Sequence, residues 1–284
     1  MVRFGTCSWK YDSWTGIVYS GFEENHLIGY SKSFNTVEVD QWFWSLFNDA
    51  PPKLPAAATV KEYAESVDQN FRFTIKAPNS LTLTHYYNRS GSKELTVNPY
   101  FLSPELNEKF FRSIDPLGEK AGVIIYQFEY LNKQKMRSQE EFQALVYEFV
   151  KNIDRRYKIG IEIRNPNYLN RRFFDFLAGE KIIPVFLEGY YMPPVTEYIY
   201  NYLPGIETDI VLRLHGPDRS GIEQKTNNIW NTIVEPKDSV IAQLVRLLRF
   251  LKERETDIYV NVNNHFEGSA PLTIQKIKEN MEAE

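Results

Sequence analysis

Polar and charged residues collect at the ends of short apolar runs along the chain. They are Glu38 and Asp40, Lys76, Gln127, Glu162 and Arg164, Glu188, Arg213 and His215, then Asn261, Asn263, Asn264 and His265. Side chains two apart on a strand share a face, so Glu162 points with Arg164 and Arg213 with His215. Arg213 offers a planar fork for a carboxylate or phosphate, and Lys76 adds a point charge from a neighbouring unit, so the two could hold an anionic group. Arg164 beside Glu162 lowers the carboxyl pKa and leaves a base, while His215 is the natural proton donor near neutral pH. Glu162, His215, Glu38 and Lys76 are therefore the catalytic candidates. Arg213, Arg164, Gln127, Asn263, Asn264, Trp9 and His85 are the candidates for holding substrate. For any single charge, a structural ion pair inside the fold is as good an account. The whole set is harder to dismiss that way.

His215, His265 and Glu188 also form an alternative, a mixed imidazole and carboxylate site for a divalent metal. The chain has four histidines, and His26 and His85 fall elsewhere, so metal is the lesser reading and no other cofactor is called for. Cys7 ends the first apolar run, where a lone thiol is more often a small core residue than a nucleophile. Two aromatic clusters, Trp9, Tyr11 and Trp14, then Trp42, Phe43 and Trp44, could wall a pocket for sugars or bases, although packing accounts for most of them.

The elements that must position these groups are eight short β-rich runs: Val2–Trp9, Thr36–Asp40, Arg72–Ala77, Gly122–Phe128, Lys158–Arg164, Ile183–Gly189, Asp209–Gly216 and Asp257–Asn264. They are apolar on both faces, as buried parallel strands are. Helical patterns lie between them. Ser138 and Glu141 make a capping box for a helix over Ser138–Asn152, Pro236 opens another that runs to Glu255, a third follows Ser269, and one begins near Ser103. Strand and helix alternating eight times predict one α/β domain over residues 1–284, a (β/α)8 TIM-type barrel whose site lies at the carboxyl ends of its strands. Pro78–Pro99, rich in Ser, Thr, Asn and Tyr, is an excursion after strand three and a candidate lid.

At 284 residues, 43% hydrophobic and 15% aromatic, the chain has material for one deep core. One cysteine excludes an internal disulfide and a thiolate metal cluster, and no run approaches the roughly 18 apolar residues of a membrane span. The segment Val2–Trp9 lacks a secretory pattern, so the expected location is cytoplasmic with no membrane partner. A net charge of −4 gives no overall attraction to polyphosphates, so nucleic acid would need a basic stripe at the mouth.

These segments together resemble the family catalogued as domain of unknown function 72. The resemblance rests on GTCSW at Gly5–Trp9, FNTVEV at Phe34–Val39, FRFTIKAP at Phe71–Pro78, TH at Thr84–His85, YQF around Gln127, IEIRNPNY at Ile161–Tyr168, VLRLHG at Val211–Gly216 and VNNHFEGSAP at Val262–Pro271. It implies a TIM-type barrel and no established activity. By position it also implies functional roles for Glu38, Lys76, Gln127, Glu162, Arg164, Arg213, His215, Asn263 and Asn264. The chain departs from the family's pattern at Ser8, where glycine is common, at Asp40-Gln41-Trp42 after Glu38, and at Asn165, where histidine is frequent. The leading expectation is an acid/base enzyme, a hydrolase, lyase or isomerase, acting on a small phosphorylated or carboxylated substrate. The alternatives are a nucleic-acid-binding or nuclease-like barrel and a non-catalytic small-molecule sensor.

Overall fold

The computed structural model of the chain describes residues 1–21, 25–47, 50–87 and 95–283. Eight strands, β1 Val2–Thr6, β2 Thr36–Val39, β3 Arg72–Lys76, β4 Ala121–Gln127, β5 Lys158–Glu162, β6 Ile183–Gly189, β7 Ile210–Gly216 and β8 Ile258–Val262, pair in parallel in the order β1-β8-β7-β6-β5-β4-β3-β2. The two ends of that order meet through a bridge between Cys7 and Glu38 and a 3.0 Å hydrogen bond from Ser8 N–H to the Glu38 carbonyl. With helices α1 His26–Ser31, α2 Ala57–Glu65, α3 Pro104–Ile114, α4 Gln139–Lys151, α5 Arg171–Gly179, α6 Val195–Tyr202, α7 Arg219–Thr226, α8 Asp238–Lys252 and α9 Ala270–Glu282, this is the expected (β/α)8 barrel. No helix is long and apolar enough to cross a membrane among the described residues.

All eight expected strands are present, though several stop one or two residues early. The first leaves the ladder at Ser8, whose φ of 72° is a left-handed conformation that a Cβ makes costly. That is the physical reason glycine suits the position. Helix α4 has Ser138 as its N-cap, accepting from Glu141 N–H at 3.2 Å. The box is only half made, because the Glu141 carboxylate accepts from Arg137 N–H at 2.7 Å instead. Helix α8 begins at Asp238, two residues beyond Pro236.

The barrel interior is layered by the two-residue strand period. Val123, Ile125, Ile183, Val185, Val211 and Tyr259 form an apolar floor separate from the main core between strands and helices. Above it Thr74, Asn261, Glu38 and Arg213 make a polar layer. The seam between β1 and β2 depends on Gly5, where a Cβ would stand 2.1 Å from the Thr36 carbonyl oxygen. Gly5→Ala is expected to cost about 1–3 kcal/mol, since backbone must move to admit the methyl. A urea midpoint equal to that of the parent chain would show that the seam spreads freely.

In the excursion after β3, a turn at Asn79–Leu81 and a bridge between His85 and Val97 are held by Asn98, whose Nδ2 donates to Ser80 O at 2.8 Å and Leu83 O at 2.6 Å. Residues 88–94 of the expected lid lie outside the described residues.

Candidate functional site

Strands β2, β4, β5 and β7 converge on one guanidinium. Arg213, 1% exposed, donates from Nε and Nη2 to both Glu38 oxygens at 2.6 Å, from Nη1 to Glu162, and from Nη1 to Gln127 Oε1 at 3.2 Å. Asn261 Nδ2 bridges Glu38 and Thr74, at 3.4 and 2.9 Å. Glu38 and Glu162 are fully buried. Arg213 is thus the cation of a buried network that plugs the barrel. Its fork is occupied, so the expectation that Arg213 grips a substrate anion is corrected to a structural role.

The groups above the plug are less committed. Arg164 is held by its Nε on Glu162 and lies over the Tyr190 ring at 4.9 Å. Lys76 is 8% exposed, stands 3.6 Å over the centre of the Phe43 ring, and makes no hydrogen bond among the described residues. Burial and then the Arg213 charge push its ammonium down to about 8, against the opposing pull of Glu38, Glu162 and Asp40. Burial would raise the Glu162 carboxyl, but Arg164 and Arg213 outweigh it and hold it at about 2. Burial and then the charges of Arg213, Arg164 and Lys76 push His215 well below its usual range. These surroundings favour a neutral His215 and an ionised Glu162.

The Glu162 carboxyl also sets an acid window. Its folded value of about 2 lies below the usual 4.5, so ionised Glu162 stabilises the fold fully above about pH 4.5, and that contribution is lost as pH falls towards 2. Urea midpoints for the parent chain and Glu162→Gln are expected to converge across that interval. Parallel curves would exclude Glu162 as the titrating group.

The remaining candidates divide by position. His215 Nε2 sits 3.7 Å from Cys7 Sγ, and its Nδ1 lies 3.4 Å from the Tyr190 hydroxyl. Asn263 Oδ1 accepts from His265 N–H at 3.0 Å and Asn264 Oδ1 from Ala270 N–H at 2.8 Å, shaping the turn into α9. Trp9 is buried edge-on against Tyr63 at 5.0 Å, so it packs α2 against the barrel and is not part of a wall at the mouth. His85 bonds Thr84 Oγ1 at 2.9 Å on the rim. Asn165 makes a two-way bond with the Leu131 backbone, at 2.8 and 3.0 Å, that a histidine would not reproduce.

The expected metal ligands are not brought together. Glu188 accepts from Val195 N–H at 2.8 Å at the start of α6, and His265 pairs with Glu223 on α7 at 3.2 Å. His215 falls instead with Cys7 and Glu38, the one set of ligand type and spacing among the described residues. That set does not fit a divalent ion, because Arg213 occupies both Glu38 oxygens, burial and Glu38 push the Cys7 thiol up, and Lys76 and Arg164 add positive charge. Among the described residues, the mouth mixes Lys76, Arg164 and Lys135 with Asp40 and Glu129. Reading strand ends missed Tyr190, which lies past β6 at a φ of 53° and carries only a turn signal in the sequence.

A family model described as "Protein of unknown function DUF72" matches residues 3–284. No curated protein matches. Among solved structures, the chain is similar to a DUF72 family protein from Thermotoga maritima MSB8, at 19% identity and a TM-score of 0.69 over 99% of both chains. A DUF72 family protein from Enterococcus faecalis V583 matches at 20% identity and 0.66 over 98% of both. A methyltransferase from Methanosarcina mazei matches at 10% identity and 0.52, over 99% of this chain and 95% of that one. At these identities the structural likeness speaks for the fold alone.

Proposed function

The chain belongs to the DUF72 family, and on that premise we propose that it is an acid/base enzyme, a hydrolase, lyase or isomerase, acting on a small phosphorylated or carboxylated substrate at the carboxyl end of one barrel domain. The observation that carries this reading is Lys76, a nearly buried ammonium with no hydrogen-bond partner among the described residues and a pKa of about 8. A group that loses and regains a proton near neutral pH is suited to general acid/base catalysis. Arg164, whose outer nitrogens make no hydrogen bond among the described residues, supplies the second cation of an anion clamp with Lys76. Neutral His215 and the Tyr190 hydroxyl offer hydrogen bonds to the substrate. Glu38, Glu162, Gln127 and Arg213 fix the floor on which these groups stand.

Competitive labelling tests the reading without a known substrate. Acetylation by trace acetic anhydride, followed by peptide mass spectrometry from pH 6 to 11, is expected to give Lys76 a midpoint near 8, with inorganic phosphate or citrate protecting it. A midpoint near the ordinary lysine value of about 10.4 would remove the reading's basis.

A further inference from the structure

Beyond the clamp, the rim carries large aromatic side chains that the fold leaves uncovered. Trp44, after β2, is 59% exposed and lies 5.8 Å from the ring of Tyr87, after β3. Tyr130, after β4, and Tyr191, after β6, are 51% and 58% exposed and meet edge to face at 6.2 Å. Trp44 packs against Phe43, the ring under Lys76, and Tyr191 feels the charges of Arg164 and Glu162. The two pairs are therefore continuous with the anion clamp, one at each side. Between them, Glu129 is paired with Lys135 and accepts from Thr84 Oγ1 at 3.5 Å, with His85 alongside.

We infer that the ligand is an anionic saccharide, a pyranose bearing one phosphate or carboxylate. The acid group reaches down to Lys76 and Arg164, and the sugar ring lies against the exposed aromatics. Aromatic faces suit the C–H faces of a pyranose, and a carboxylate such as Glu129 accepts hydrogen bonds from hydroxyls. Glu129 is held in place for that role by Lys135, and a ligand with a single acid group can place it on the two cations while its ring stays at the rim. The inference rests on the acid/base reading for the clamp and adds the rim as the element that selects the ring.

Saturation-transfer NMR on the full chain tests it with glucose 6-phosphate, glucuronic acid, methyl glucoside, inorganic phosphate and AMP as probes. At least one of the two acidic sugars is expected to bind tenfold or more tighter than methyl glucoside and inorganic phosphate, with saturation on its ring protons. Trp44→Ala and Tyr191→Ala, at exposed positions, are expected to weaken that binding about five- to tenfold without moving the melting temperature. Rim variants that bind like the parent chain, AMP binding tighter than both acidic sugars, or no binding by either acidic sugar would each overturn the inference. Lys76→Met separates the two levels. If it leaves acidic-sugar affinity unchanged while the rim variants weaken it, the clamp reading fails and the rim stands; the reverse pattern sinks the rim alone.

Discussion

Replacing Arg213 by methionine is expected to cost about 3–5 kcal/mol of folding stability at pH 7, the cost of stranding buried carboxylates. Glu38 and Glu162 are fully buried; Glu38 is held on the Arg213 fork through two bonds of 2.6 Å, and Glu162 is shared between Arg213 and Arg164. In the variant Glu38 loses both of those bonds while Glu162 keeps Arg164, so the deficit at neutral pH falls mainly on Glu38. Adding Glu38→Gln and Glu162→Gln to Arg213→Met is expected to recover most of the loss, because the same shapes remain without charge. Urea unfolding of the parent chain, the single variant and the triple variant at pH 7 and pH 5 measures this. A single variant within about 1 kcal/mol of the parent chain would mean that water already reaches the plug and screens it.

That network also marks how far the sequence could be read. The barrel was legible because its strands are buried on both faces and each ends in a polar residue, a pattern that few other architectures produce. The strand-end set was legible for the same reason, and Glu38, Lys76, Gln127, Glu162, Arg164, Arg213 and His215 do gather in one mouth. Their roles were not legible. Spacing places Arg213 and Glu162 on inward faces but does not say that Glu38, 175 residues away, takes two of the guanidinium's bonds. Nor does it say how deeply His215 is buried or which cations surround it, and these together bear on whether the ring is charged. The aromatics meet the same limit, for Trp9 and Trp44 are alike in sequence, yet one is sealed against Tyr63 and the other faces solvent.

Lys76→Met is expected to make the protein more stable and, once a substrate is in hand, about 10²- to 10⁴-fold slower. The stability gain follows from the shift of the ammonium from its usual 10.5 to about 8, a difference of 2.5 units at 1.36 kcal/mol each, on the order of 3 kcal/mol for a side chain that is only 8% exposed. Below pH 8 both folded and unfolded Lys76 carry the proton, and the folded state bears the full cost of burying it. Between about pH 8 and 10.5 the unfolded chain binds more protons than the folded one, so the parent chain gains stability with rising pH and approaches the variant. Thermal melts of the two chains from pH 6 to 10 are thus expected to differ most at the acid end of that range and to converge towards the alkaline end. Lys76→Arg completes the argument, since arginine keeps the charge but does not give up its proton in this range. It is expected to lose activity like the methionine variant without the gain in stability. A methionine variant less stable than the parent chain at pH 7 would make Lys76 a structural cation and leave the mouth without its proton carrier.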